Sequence, residues 1–360
     1  MSPRRDIPDE LNGALALVAP GTGLRDAIDN IIWARNGALI VVANPRKLQR
    51  MNLISGGMEI GCEFTPMRLY ELAKMDGAII VSPDVSYIHH VNVQLTPDPS
   101  FPSEETGLRH LSGHRTAQQT GDLVVVVSER RRVVTLYRGD YGPHVLEDIG
   151  VVLSKADSAL ATLEKFTRRL REEARLLTLH EYDGLVTLRE VVGAVATFEY
   201  TVRIAEEIGN YVRELGREGR LVEMQLEQAF HNVPEQYDAL IRDYSDEGLG
   251  LKEIRARLHE LSSEDLSEPM TLAQILGYGS VDTTEEFFVE PRGYRQLVRV
   301  PRLPGRVAEK LIEEFGTLKD LLEASEENLD DVEGVGQARA RAIRRNLKRQ
   351  RSLESSGEVL

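Results

Sequence analysis

The chain has 360 residues, of which 41% are hydrophobic, and a formal net charge of −14. That is enough length for two or three domains with cores of their own, and too acidic overall for bulk attraction to nucleic acid. No apolar run of eighteen residues offers a membrane-spanning helix. The opening MSPRRDIPDELNGALALVAPG, broken by charge, Gly and Pro, lacks a signal-peptide core. The one cysteine, Cys62, excludes an internal disulfide and points to a cytoplasmic address. Its apolar neighbours mark it as a buried structural thiol.

Residues 1–150 read as an α/β domain. Helical periodicity marks Leu24 to Asn36 and Met67 to Lys74. Four short Val- and Ile-rich runs, Ala38 to Ala43, Ala78 to Ser82, Leu123 to Ser128 and Val133 to Tyr137, read as buried strands. Strands interleaved with helices imply a central mixed sheet covered by helices. SERRRV, between the last two runs, reads as a hairpin-like turn that puts its Ser and Arg at a sheet mouth.

Residues 151–290 read as an all-α spacer and assembly domain. ALATLEKFTRRLREEARLL, LREVVGAVATFEYTVRIAEEI, GRLVEMQLEQAF and EIRARLHELS repeat apolar residues at three and four with charge between. His180, His231 and His259 have no spaced partner in sequence, which argues against metal. Phe198, Tyr200 and Tyr211 read as core packing.

Residues 291–360 change character again. They carry 14 Lys and Arg against 12 Asp and Glu, whereas the rest of the chain carries 30 against 46. Ala338 to Arg351 holds seven basic residues and no acid. Two stretches share a plan of apolar residue, glycine turn and helix: Leu303-Pro304-Gly305-Arg306-Val307, and the stronger Val332-Glu333-Gly334-Val335-Gly336-Gln337-Ala338-Arg339-Ala340. The second resembles the helix-hairpin-helix DNA-binding module. Gly334 and Gly336 let the turn close tightly. The following helix then points backbone N–H groups at a DNA phosphate, with Arg339, Arg341, Arg344 and Arg345 reaching neighbouring phosphates without reading sequence. A plain helical hairpin is the bland alternative.

The first domain also carries a split phosphate-handling constellation. One carboxylate sits in Met75-Asp76-Gly77-Ala78. A cationic loop, Gly107-Leu108-Arg109-His110, follows about thirty residues later, and the strand Leu123 to Val127 empties into Ser128-Glu129-Arg130-Arg131-Arg132. An acid for a divalent metal, a glycine for close backbone approach and arginines that fork onto phosphate suit a nucleoside triphosphate. No GxxxxGK[ST] loop is present. The runs Phe64 to Ser82, Asn92 to Pro99, Glu104 to His110 and Gln119 to Asp140, with Gly293-Tyr294-Arg295, resemble the bacterial DNA integrity scanning family of diadenylate cyclases, in one order from about residue 10 to about residue 350.

The resemblance implies condensation of two ATP into cyclic di-AMP and two pyrophosphates, by two cyclase domains that face each other. It implies Mg²⁺ or Mn²⁺, a homo-octamer, and inhibition by branched or damaged DNA bound at the C-terminal domain. On this reading Asp76 serves the metal and the attacking 3′-hydroxyl, Gly77 lies by the ribose and Leu95 against adenine. Gly107, Leu108, Arg109 and His110 grip phosphate, and Ser128 and Arg131 bind the outer phosphates with Arg130 as the weaker neighbour.

The loop departs from the family's usual Gly-Thr-Arg-His-Arg-Thr-Ala. Leu108 replaces a threonine, Leu111 an arginine, and Ser112-Gly113 the Thr-Ala, while His114-Arg115-Thr116-Ala117 follows at once. An ungapped alignment keeps the family spacing to Gln119-Thr120-Gly121 and is preferred. A gapped one recruits Arg115. Glu129 also places a carboxylate where relatives carry Arg or Gln. These changes keep an alternative open: a DNA-binding scaffold whose cyclase site binds nucleotide without turnover. A different nucleotidyl transferase on the same fold is the weakest reading.

Overall fold

The computed structural model describes residues 9–246, 248–279 and 287–356. The chain divides into two compact units, Met1–Ser158 with Ile208–Met224, and Ala159–Glu207 with Gln225–Leu360.

The first unit holds helices α1 (Asp9–Val18), α2 (Gly23–Trp33), α3 (Pro45–Arg50), α4 (Pro66–Leu72) and α5 (Leu108–Thr120). Its strands are β1 (Ala38–Val42), β2 (Ile54–Ser55), β3 (Met58–Glu63), β4 (Ala78–Val81), β5 (Tyr87–Leu95), β6 (Leu123–Val127), β7 (Val134–Arg138) and β8 (Tyr141–Leu146). They form one mixed sheet in the order β2-β5-β4-β1-β6-β7-β8, with β3 also paired to β5. Among the described residues only β1 and β4 pair in parallel.

Successive strand residues point to opposite faces, and both faces are covered. Ala38, Ile40 and Val42 of β1 pack with Leu15, Leu24, Ile28, Ile31 and Leu69 from α1, α2 and α4. Leu39 and Val41 pack on the other face with Leu48 of α3 and Ala117 of α5. Each fully buried Leu or Ile contributes about 1.5–3 kcal/mol, so central strands with no polar face are fixed in place. This is the helix-covered mixed sheet expected of the sequence. Cys62 is only half-buried, because it lies on the peripheral β3, whose residues are otherwise exposed.

The second unit is helical. α6 (Ile149–Asp183) and α7 (Leu188–Leu215) supply residues to both units. α8 (Arg220–Phe230), α9 (Val233–Tyr244), α10 (Leu251–Glu260) and α11 (Pro269–Ile275) follow. Phe198 and Tyr237 stack at 5.2 Å in its core. A separate cluster is built from α12 (Tyr294–Val298), α13 (Gly305–Phe315), α14 (Leu318–Glu323), α15 (Glu326–Asp330) and α16 (Gln337–Ser356).

Candidate active site

Strand direction gathers the site. β6 runs antiparallel to β1, so the starts of β1 and β4 lie beside the end of β6. Gly37 precedes β1, Asp76 and Gly77 precede β4, and Ser128 follows β6. Three segments distant in sequence therefore share one end of the sheet. The Gly107–His110 stretch, expected as a loop, is instead the start of α5, with Gly107 as an N-cap that supplies no side-chain bond. Its first backbone N–H groups and the positive end of the helix dipole make a terminus receptive to anions. α5 lacks an apolar stripe and packs through small residues. Gly113, Thr116 and Ala117 are buried, and a Cβ on Gly113 would come within 2.9 Å of Val126 Cγ2.

Asp76 has a side chain 92% exposed, and its Oδ1 accepts from Gly77 N–H at 3.0 Å and from Arg109 Nη2 at 3.2 Å. These bonds, the backbone one foremost, hold its carboxyl below the usual carboxylate range. The Arg109 guanidinium lies over Gly37, where any Cβ would overlap it. Gly77 has φ +89°, and a Cβ there would come within 2.8 Å of the Asn92 carbonyl carbon. Only glycine tolerates both conditions.

Ser128 opens the turn after β6. Its Oγ accepts from Arg131 N–H at 3.3 Å, and Glu129, Arg130 and Arg131 are exposed. Arg131 Nη2 lies 3.4 Å from His110 Nε2. His110 itself is buried, with Nδ1 3.0 Å from the Tyr137 hydroxyl, which donates to Glu105 Oε1 at 2.7 Å. Burial holds His110 below the ordinary imidazole range; Glu105 opposes this and Arg131 adds to it. Sequence reasoning missed Tyr137 and Glu105 as site residues. The available signal was a strand tyrosine, whose buried hydroxyl needs a partner.

Leu108 is 82% exposed at the helix start. Leu95, the last residue of β5, is buried on one face of the sheet in the cluster of Leu39, Val41 and Ile80. Arg115 donates Nε to the Phe101 carbonyl at 3.0 Å, which commits it to the 101 loop. Among the described residues no cluster of three or more His, Cys, Asp or Glu could hold a metal by itself. A single exposed carboxylate beside an anion-receptive helix start nevertheless fits Mg²⁺, which takes one or two carboxylates and completes its shell from substrate phosphates and water. His180 and His259, expected to stand alone, face Glu190 at 2.5 Å and Glu199 at 3.3 Å.

In the C-terminal cluster the two turns superpose in plan. Val335 N–H donates to the Val332 carbonyl and Ala340 N–H to the Gly336 carbonyl; Leu303 and Ala308 do the same with Val300 and Pro304. The left-handed position is Gly334 (φ +92°) in one turn and Arg302 (φ +60°) in the other. Gly336 immediately precedes α16, whose Arg341 and Arg345 are exposed. Arg341 and Arg344 sit 3.6 and 3.8 Å from Glu326, and Arg339 donates to the Gly334 carbonyl.

Gly293-Tyr294-Arg295, part of the family resemblance, has a structural explanation. The Asp243 carboxylate caps α12 by accepting from the N–H groups of Gly293, Tyr294 and Arg295 at 2.7, 2.6 and 2.8 Å. The buried Arg295 guanidinium pairs with buried Glu181, which also accepts from Gln296 and Tyr244.

A family model described as "DisA bacterial checkpoint controller nucleotide-binding" matches residues 25–141. "DisA bacterial checkpoint controller linker region" matches 146–284 and "Helix-hairpin-helix motif" matches 300–354. The DNA integrity scanning proteins DisA of Clostridium tetani, Carboxydothermus hydrogenoformans and Symbiobacterium thermophilum are similar to it, at 43%, 45% and 44% identity. These alignments cover 96%, 94% and 94% of this chain, and 93%, 96% and 95% of theirs. With a mixed-sheet nucleotide-binding unit, a helical linker and a helix-hairpin-helix module in that order, the chain belongs to the DNA integrity scanning family and is a diadenylate cyclase.

Proposed function

We propose that the sheet end bearing Asp76, Arg109 and the Ser128–Arg131 turn holds one ATP, and that two such sites face each other to make cyclic di-AMP. The observation that carries this is the exposed Asp76–Arg109 pair beside the uncapped start of α5. Each 3′-oxygen attacks the other nucleotide's α-phosphorus. A P–O bond forms there, the α–β bridging bond breaks, pyrophosphate leaves, and the hydroxyl proton passes to water or carboxylate. Such chemistry needs positioning and charge neutralisation more than covalent help.

Asp76 would hold Mg²⁺ or Mn²⁺, with substrate phosphates completing the shell. The cation, when bound, screens phosphate charge and acidifies the 3′-hydroxyl. Gly77 admits the ribose. The N–H groups that follow Gly107 and the Arg109 guanidinium meet the α-phosphate, where negative charge develops. Ser128 and Arg131 bind the outer phosphates, and Arg130 reaches them from the same turn. Leu95 supports the adenine side from the core. Trp33, 87% exposed, and Leu108 offer apolar surface that a facing protomer would cover, in keeping with assembly as an octamer.

The helix-hairpin-helix module would bind branched or damaged DNA through Gly334, Gly336, Arg339, Arg341, Arg344 and Arg345, and binding would suppress synthesis. No helix of the described residues is long and apolar enough to cross a membrane, in keeping with a cytoplasmic enzyme. The test is purified protein with ATP and Mg²⁺ or Mn²⁺, with the product identified by mass. Cyclic di-AMP formed by wild type and lost in Asp76→Asn supports the reading. ATP binding without product would favour the scaffold. Four-way-junction DNA that leaves the rate unchanged would remove the regulatory claim.

A further inference from the structure

We propose that His110 is a positioning residue for Arg131: a Glu105–Tyr137–His110 hydrogen-bond chain fixes the imidazole as its Nδ1–H tautomer, so that Nε2 accepts from the guanidinium that grips ATP. This rests on the nucleotide site proposed above and deepens it, because it moves His110 from phosphate ligand to support.

Proton counting carries the assignment. A phenol has one proton, and Tyr137 gives it to Glu105 Oε1 at 2.7 Å. The phenol oxygen can then only accept from His110, at 3.0 Å, so Nδ1 carries hydrogen. Arginine has donors alone, so the contact of Arg131 Nη2 with Nε2 at 3.4 Å requires a lone pair on Nε2. One neutral tautomer satisfies all three bonds. The reverse order would set an N–H of the imidazole against an N–H of the guanidinium, and would leave the Glu105 carboxylate facing a phenol oxygen without a proton.

The chain is anchored in the core. Tyr137 is fully buried on β7 among Leu39, Val124, Val126 and Ala117. Its ring stacks on His114 at 5.0 Å, and His114 Nδ1 lies 2.9 Å from Ser103 Oγ. Arg131 by contrast extends from an exposed turn, and holding such a side chain in place costs rotamer entropy. A fixed acceptor behind the guanidinium selects its orientation before ATP arrives. The 3.4 Å contact is the longest of the chain, and contacts of this kind tighten when the ligand binds. Burial of His110, which disfavours the imidazolium, acts in the same sense.

The test is a double-mutant cycle read as affinity for α,β-methylene-ATP, which cannot release pyrophosphate. Tyr137→Phe keeps the ring and removes the relay. It is expected to weaken binding about tenfold, the worth of a hydrogen bond to a charged group. Arg131→Ala should weaken it at least as much, and the double variant should be no weaker than Arg131→Ala alone. Glu105→Leu, at the half-exposed end, frees the phenol proton to turn toward Nδ1; it should reproduce the Tyr137→Phe loss and likewise add nothing to Arg131→Ala. A general packing defect would multiply with Arg131→Ala, and multiplied effects would overturn the relay while leaving the site standing. Tyr137→Phe within twofold of wild type would overturn it too. Arg131→Ala binding like wild type would overturn the nucleotide site itself, and the relay with it.

Discussion

Two arginine–carboxylate pairs in this molecule have opposite surroundings. Asp76 and Arg109 have side chains 92% and 39% exposed, whereas Glu181 and Arg295 are 0% and 5% exposed. The exposed pair is open to a ligand, and in water it adds little to stability. The buried pair is satisfied on nearly every side, by Gln296, Tyr244, Thr178 and the Ala174 carbonyl. On the proposed reading, identical chemistry thus serves a substrate in one unit and the seating of the hairpin module in the other. What separates the two roles is whether water, or the protein, completes the shell of the charges.

The comparison breaks most sharply at the buried pair. Arg295→Ala leaves Glu181 uncompensated and is expected to cost about 3–5 kcal/mol. Thermal melting and loss of junction binding check this; an unchanged midpoint would show that the pair is dispensable. It also follows that deletion of residues 291–360 would uncover Glu181 and Asp243, so point substitutions are the cleaner probe of DNA binding.

Asp76→Asn should do the reverse. Synthesis of cyclic di-AMP should fall about 10²–10³-fold, as for removal of one transition-state contact, with the melting midpoint within about one degree of wild type. A large fall in midpoint would assign Asp76 to the fold instead.

The pH dependence sharpens the contrast further. Burial, and then Glu181, push the Asp243 carboxyl up from 3.8 to about 7, against its backbone N–H donors and Arg295. A folded pKa above the unfolded one means the folded state binds the proton more tightly. The stability linked to Asp243 is therefore fully present below pH 3.8 and is lost as pH rises to about 7. Melting curves across that window should slope less in Asp243→Asn; the same slope in both proteins would remove Asp243 as the source. The smallest expected effect is at the exposed Arg345. Its change to Ala should lower the salt dependence of junction binding by about one phosphate contact and leave cyclisation without DNA unchanged.

Four strands were legible in the sequence because they are buried on both faces and read as unbroken Val and Ile runs. β3 and β5 were not: β3 is exposed along nearly its whole length and so has no apolar run, and a bulge at Asn92 breaks the alternation of β5. α5 was hidden because Gly, Thr and Ala, rather than large apolar residues, press it to the sheet. The residue types of a triphosphate site, the glycine turns of the hairpin module and the acidic body with a basic tip were all determined by sequence, because they are local in chemistry. Which residues meet was decided by tertiary structure alone. Strand order brings Asp76, Arg109 and Ser128 to one sheet end, and burial turns His110 inward onto Tyr137 while it shuts Arg295 against Glu181. Exposure and long-range pairing are properties of the packed chain, and no spacing of letters contains them.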